Sequence, residues 1–183
     1  IHPSIAWNHP AFWATHELVK ENALKSTQVT KVHIKSFMAD SIADTSPAGP
    51  VDAMFSIPYA VCSTIMDEAL VPELYSEEKL NDPEMLRLLS VTTCEHDKKA
   101  DEYLFDEQRM CQTVSLTLND GKVLTREIEF PRDKPEYGAK EIEKKFNDLS
   151  AGVLSEEKQK KLKQMIGFPL TNLWNTPALS LDG

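Results

Sequence analysis

The residue best suited to acid–base chemistry is His9, in the run Asn8-His9-Pro10. Asparagine is a favoured N-cap and proline suits a first turn, so this run predicts a helix that begins at His9. A helix N-terminus lowers the pKa of a histidine and attracts anions. His9 is therefore a candidate acid–base or carboxylate-binding residue, and the alternative is an ordinary surface histidine at a helix start.

A second candidate, Tyr59, lies in the longest weakly charged stretch of the chain, residues 51–70. Its apolar residues fall on most sides of a helix, which predicts burial on most sides. Pro58 predicts either a kink just before it or a helix that starts at Ile57 with Pro58 in its first turn. Ser56 and Tyr59 are then polar groups on an apolar element. From the residues alone, Tyr59 is either a core tyrosine with a bonded hydroxyl or a site residue.

No metal centre is predicted. His9 and His16 share a helix face but would lie about 10 Å apart along its axis, which is poor geometry for one ion. The three cysteines, Cys62, Cys94 and Cys111, form no CxxC pair and fit neither a zinc site nor a disulfide framework. A reducing, cytosolic-type compartment is therefore expected.

The composition excludes other classes of function. The chain has 183 residues, 41% of them apolar, which is enough for one domain with a core. Its net charge of −9 argues against a non-specific nucleic-acid binder. No run of about 18 apolar residues could span a membrane, and no secretory signal occurs. Because the chain starts at Ile1 rather than Met, a fragment of a longer protein is one interpretation.

The remaining patterns predict helices and strands that do not alternate strictly, which indicates an α+β fold with a small antiparallel sheet. The turn signal Asn119-Asp120-Gly121-Lys122 predicts a β-hairpin of residues 110–118 and 123–130. Residues 1–170 are expected to form the domain and 171–183 a tail. The other predictions are helix 9–24, strand 28–37, loop 39–50, helices 76–80 and 83–90, part of 91–105 as a strand, loop 131–138, and helices from 139 to 153 and from 155 onward.

Several short motifs occur along nearly the whole chain in an order that resembles the MmgE/PrpD family. Each is weak alone, but together they are fairly specific, and the chain resembles the smaller α+β lid domain of that family. The motifs are His9-Pro10-Ala11, the strand over 29–37, Phe55-Ser56-Ile57-Pro58-Tyr59-Ala60-Val61, Asn81-Asp82-Pro83, Leu118-Asn119-Asp120-Gly121 and Lys145-Phe146.

The resemblance implies a lyase or isomerase that works on small polycarboxylic acids without a metal or an organic cofactor. Family members include 2-methylcitrate dehydratase, cis-aconitate decarboxylase and iminodisuccinate epimerase. The resemblance implies that His9 and Tyr59 are catalytic and line a cleft between the lid and a large N-terminal helical domain. His2 and Ser56 are predicted to contact the substrate. The family has a lysine shortly before the histidine, whereas His2 is the only basic residue in this chain's residues 1–8.

Three functions remain open from the sequence. The chain is a lid fragment of such an enzyme, a separately encoded subunit that docks on a helical partner, or a non-catalytic α+β interaction module. The resemblance further implies a homodimer at full length, in the cytoplasm or the mitochondrial matrix. A lid supplies only one wall of a cleft, so the isolated chain is expected to be inactive.

Overall fold

The computed structural model describes residues 4–67, 72–130 and 139–165. The chain divides into two units between residues 134 and 135. The first unit holds a four-stranded sheet with helices around it, and the described part of the second unit holds two helices. The α+β fold is confirmed. His2, the end of the apolar stretch at 68–70, the loop predicted over 131–138 and the tail predicted over 171–183 lie outside the described residues.

The sheet of the first unit has the strand order β2-β1-β3-β4. β1 (Val29–Ser36) is an inner strand and pairs with β2 (Thr92–His96) on one side and with β3 (Met110–Leu118) on the other. β3 also pairs with β4 (Val123–Phe130) in an antiparallel hairpin. The predicted hairpin and first strand are confirmed, and β2 is the further strand expected within 91–105.

The expectation of an antiparallel sheet is wrong, because β2 runs parallel to β1. A tight turn joins β3 to β4 and makes them antiparallel, whereas a long crossover brings the chain back to the starting end of β1. Residues 39–50 were expected to be loop only, but a single helical turn lies there. The described helices of this crossover are α2 (Ala39–Ile42), α3 (Pro50–Phe55), α4 (Ile57–Asp67), α5 (Glu77–Leu80) and α6 (Pro83–Ser90).

The predicted first helix is confirmed as α1 (His9–Asn22). It packs against β3, β4 and α4, and its buried side chains include Phe12, Leu18 and Val19. The helix ends where Ala23 adopts a left-handed conformation with φ of 48°. α1 therefore joins the sheet to the crossover helices, and its first turn lies where these layers meet.

The central apolar stretch forms two helices, α3 and α4, that are separated at Ser56. The second predicted alternative is confirmed, since α4 begins at Ile57 with Pro58 in its first turn, where a missing N–H costs no helical hydrogen bond. All residues from Ile57 to Ile65 are buried, as the apolar pattern predicted.

Local capping signals account for the next helices. The Ser76 hydroxyl accepts a hydrogen bond from the Lys79 N–H at the start of α5, and Asp82 caps α6. The helix α7 (Lys98–Glu107) was not predicted. Six of its ten residues are charged and Ala100 is the one that is buried, so the helix has only a weak apolar signal in the sequence.

The second unit contains α8 (Ala139–Ser150) and α9 (Glu156–Met165), as predicted. The ammonium group of Lys163 joins them, because it lies 3.0 Å from a Glu143 carboxylate oxygen and 3.1 Å from the Asn147 side-chain oxygen. Across the described parts of both units, no helix combines the length and the apolarity needed to cross a membrane.

Candidate active site

His9 is the first residue of α1 and follows a 3-10 turn formed by Ala6–Asn8. Its ring packs edge-on against Phe130 at the end of β4, with 5.8 Å between ring centroids. Its Nε2 atom is buried. The structure therefore holds His9 between the helix start and the sheet, rather than on an open surface.

Asn8 does not cap α1 with its side chain, contrary to the prediction. Its amide nitrogen instead lies 3.2 Å from the Met54 carbonyl oxygen and 3.3 Å from the Ser56 carbonyl oxygen. Both carbonyl groups belong to the segment just before α4. The Asn8 backbone is helical, with φ of −84° and ψ of −15°, whereas a capping residue has an extended backbone. The side chain therefore makes a tertiary contact instead of a cap.

Ser56 has both of its hydroxyl functions bonded within the chain. The hydroxyl donates to the Asp44 carbonyl oxygen at 2.5 Å and accepts from the Tyr59 N–H at 3.0 Å. The second bond is an N-cap of α4, because it satisfies an N–H that has no partner within the helix. Ser56 is buried, so its role as a substrate contact stays a prediction.

Tyr59 is 0% exposed, and its hydroxyl donates to the carbonyl oxygen of Leu74. Its ring lies 5.8 Å from the ring of Tyr75, centroid to centroid. Burial, with a smaller contribution from Tyr75, raises the pKa of Tyr59 to about 12. The phenol therefore stays protonated near neutrality, where it can donate a hydrogen bond but cannot serve as a base.

Hydrogen bonds connect the starts of α1 and α4. Asn8, next to His9, donates to the Ser56 carbonyl, and Ser56 accepts from the backbone of Tyr59. The two rings have different neighbours, since His9 packs on Phe130 and Tyr59 packs on Tyr75. The structure thus brings together the backbone segments that carry three of the four predicted site residues, and His2 lies outside the described residues.

Gln112 is a buried side chain at this junction that the sequence did not single out. It accepts from the Ala11 N–H at 2.9 Å and donates to the Trp7 carbonyl oxygen at 2.9 Å. A signal was present, because alternation along β3 places Gln112 on the same face as the predicted core residues Val114 and Leu116. A polar residue at a core position of a strand indicates a specific hydrogen-bonding role.

The cysteines, the possible metal ligands and the surface cavity are weaker candidates for a functional site. Burial raises the pKa of the Cys62 thiol to about 12 and those of Cys94 and Cys111 to about 11, so none is an activated nucleophile. Among the described residues, no group of three or more His, Cys, Asp and Glu side chains could hold a metal ion. A surface cavity of about 380 Å³ lies beside α5 and α6, and none of His9, Ser56 and Tyr59 lines it.

Comparison with known proteins identifies the family of the chain. Residues 2–167 match the profile of the MmgE/PrpD C-terminal domain. A search of curated proteins finds no match to the chain. The matched range covers α1 with His9, the broken apolar stretch with Ser56 and Tyr59, and all four strands of the sheet. The chain therefore belongs to the MmgE/PrpD family, and residues 2–167 are its C-terminal domain.

Proposed function

We propose that this chain is the lid of a cofactor-independent lyase or isomerase that acts on small polycarboxylic acids. The observation that carries the proposal is the family match over residues 2–167. The hydrogen-bonded junction between the starts of α1 and α4 supports it, because that junction carries His9 and Tyr59. A helical domain supplies the other wall of the cleft and the remaining site residues.

In the proposed reaction, His9 removes a proton alpha to a substrate carboxylate, since imidazole titrates near neutrality. Tyr59 donates a hydrogen bond to the negative charge that develops, because its raised pKa keeps its proton in place. To do so, its hydroxyl exchanges the Leu74 carbonyl for the substrate. The isolated chain is inactive in this proposal, because half a cleft neither excludes water nor surrounds the carboxylates.

The test assays the chain alone, and joined to or mixed with a helical domain of the family, on a panel of small di- and tricarboxylic acids. We expect turnover only with both domains. His9→Asn and Tyr59→Phe should each lower kcat by about 100- to 10,000-fold, the usual contribution of an acid–base group. His33→Asn is the matched control, since His33 is a half-buried histidine on β1 that pairs with Glu95 at 3.0 Å.

Full turnover of the His9 and Tyr59 variants would refute the site assignment, and turnover by the chain alone would refute the lid role. A second candidate function is a non-catalytic interaction module of the same fold. The internal bonding of the Tyr59 and Ser56 hydroxyls favours it, because both groups already have partners in the chain. That candidate predicts no turnover even with a helical domain present, and a loss of stability as the only effect of both variants.

A further inference from the structure

The side-chain amide of Gln112 occupies the gap between two backbone groups on either side of His9. It is 1% exposed, accepts from the Ala11 N–H at 2.9 Å and donates to the Trp7 carbonyl oxygen at 2.9 Å. In an uninterrupted α-helix, the N–H of residue 11 would bond to the carbonyl of residue 7. Gln112 thus bridges a donor and an acceptor that a continuous helix would pair directly.

This bridge joins the 3-10 turn that precedes His9 to the α-helix that follows it. Because Pro10 has no N–H, Ala11 contributes the first N–H after His9, and Gln112 takes it. A third bond, from the Gln112 amide nitrogen to the Ser36 hydroxyl at 2.8 Å, fixes the amide to the end of β1. The backbone that orients the His9 ring is therefore attached to two strands of the sheet.

We infer that Gln112 is the positioning residue for His9 and holds the imidazole in its working orientation at the helix start. The inference rests on the proposed function, in which His9 is the base. A primary amide is the required group, because one end must accept from an N–H while the other donates to a carbonyl. A carboxylate has no donor for the Trp7 carbonyl, and a thioether has no donor and is only a weak acceptor.

The first experiment follows the His9 imidazole by NMR as a function of pH in the 183-residue chain. We expect Gln112→Met to shift the chemical shift and the titration midpoint of His9. In Gln112→Glu, the His9 chemical shift should differ from that of the parent at neutral pH. This difference should decrease as the pH falls, because a protonated carboxyl recovers the donor. The matched control is Gln159→Met on α9, where another glutamine donates to the Ser150 and Leu154 carbonyls in the second unit.

The second experiment measures kcat and KM with a helical domain present. We expect Gln112→Met to lower kcat by about 10- to 100-fold with little change in KM, since misplacing a catalytic group acts mainly on the chemical step. A loss of stability alone would lower the apparent kcat only by increasing the fraction of unfolded protein. Thermal melting of each variant separates that effect from repositioning.

Ser36→Ala is the milder variant if Gln112→Met does not fold, because it removes one of the three partners of the amide. It should move the His9 titration in the same direction by a smaller amount. An unchanged His9 titration and kcat in every folded variant would overturn the inference. If His9→Asn keeps full activity while Gln112→Met still moves the His9 titration, the proposed function fails and the positioning role stands.

Discussion

At the residue scale, three buried polar side chains of the first unit have specific hydrogen-bond partners within the chain. Tyr59, Ser56 and Gln112 are almost completely buried, and each bonds to backbone groups that local secondary structure leaves open. Removing one partner from such a pair costs more than the net value of the bond, because the other partner stays buried without water. Substitutions at these residues are therefore sensitive tests of the structure.

Tyr59→Phe should lower the free energy of unfolding by about 1–2 kcal/mol, since the Leu74 carbonyl oxygen loses its donor. Urea unfolding of the chain measures the change. Tyr103→Phe on α7 is the control, because Tyr103 is only half-buried, and a change within about 0.5 kcal/mol is expected there. Equal effects in the two variants would show that the Tyr59 hydroxyl is not bonded as described.

Glu84→Gln tests how much the Glu84 carboxylate on α6 contributes to stability. Hydrogen bonds from Arg87 hold the pKa of Glu84 down at about 2. Because its folded-state pKa lies below the ordinary value of about 4.3, the carboxylate stabilises the fold above that value, and the effect disappears as pH falls towards 2. The variant should lose about 1 kcal/mol at pH 6 and match the parent near pH 2.

Urea unfolding across this pH range checks the Glu84 prediction. Glu78→Gln on α5 is the control, as Glu78 is exposed and a change within about 0.5 kcal/mol is expected there. A constant difference between the Glu84 variant and the parent at all pH values would contradict it. Arg87 also donates to the Val29 and Ser26 carbonyls, so the pair attaches α6 to the start of β1.

At the scale of elements, turns and caps set where each helix and strand begins and ends. The hairpin between β3 and β4 closes with a hydrogen bond of 2.8 Å from the Leu118 N–H to the Lys122 carbonyl oxygen. Gly121 adopts φ of +85°, a conformation that side chains with a Cβ rarely accept. The turn fixes the register of β3, the strand that carries Gln112, against β4.

Gly121→Ser should lower the free energy of unfolding by about 1–2 kcal/mol through backbone strain alone. A Cβ at this position would meet no atom within 4 Å, so steric overlap does not contribute. Gly49→Ser is the matched control, because Gly49 has extended backbone at the start of α3 and equal space around it. Serine is favoured at that cap, so no loss is expected there. Equal losses measured by urea unfolding would contradict the strain argument.

At the scale of the whole molecule, the first unit leaves apolar side chains in contact with solvent next to the proposed site. Val51 and Phe55 are 65% and 54% exposed and lie one helical turn apart on α3, just before Ser56. Exposed apolar groups that cluster in this way mark interaction surfaces more often than isolated ones. In the proposed function, the helical domain binds to this surface of α3.

Phe55→Ser should leave the free energy of unfolding within about 0.5 kcal/mol of the parent, because the side chain is mostly exposed. It should weaken association with a family helical domain, measured by calorimetry. Phe105→Ser on α7 is the control, since Phe105 is 66% exposed and lies on another helix. If both variants associate equally well, α3 does not form part of the interface.

The sequence by itself determined the features that depend on a few neighbouring residues. The Asp82 cap and the 119–122 hairpin turn follow from local backbone preferences and short-range hydrogen bonds. Pro58 likewise predicted an interruption just before it, either as a kink or as a helix start at Ile57. The family resemblance rests on the same short motifs, and the match over residues 2–167 confirms it. The helix start at His9 and the interruption before Pro58 could therefore be predicted from the motifs without coordinates.

Only the tertiary structure decided how these elements meet. The parallel pairing of β2 and the use of Gln112 as a bridge depend on where the chain returns after long crossovers. The Leu74 partner of Tyr59, 15 positions away, depends on packing. Gln112 and Ala11 are 101 positions apart, and no local preference specifies such a pair. Hydrogen-bonding capacity can be read from each residue type, but the partner is set by packing, because burial forces each polar group to bond to whichever group the fold places beside it.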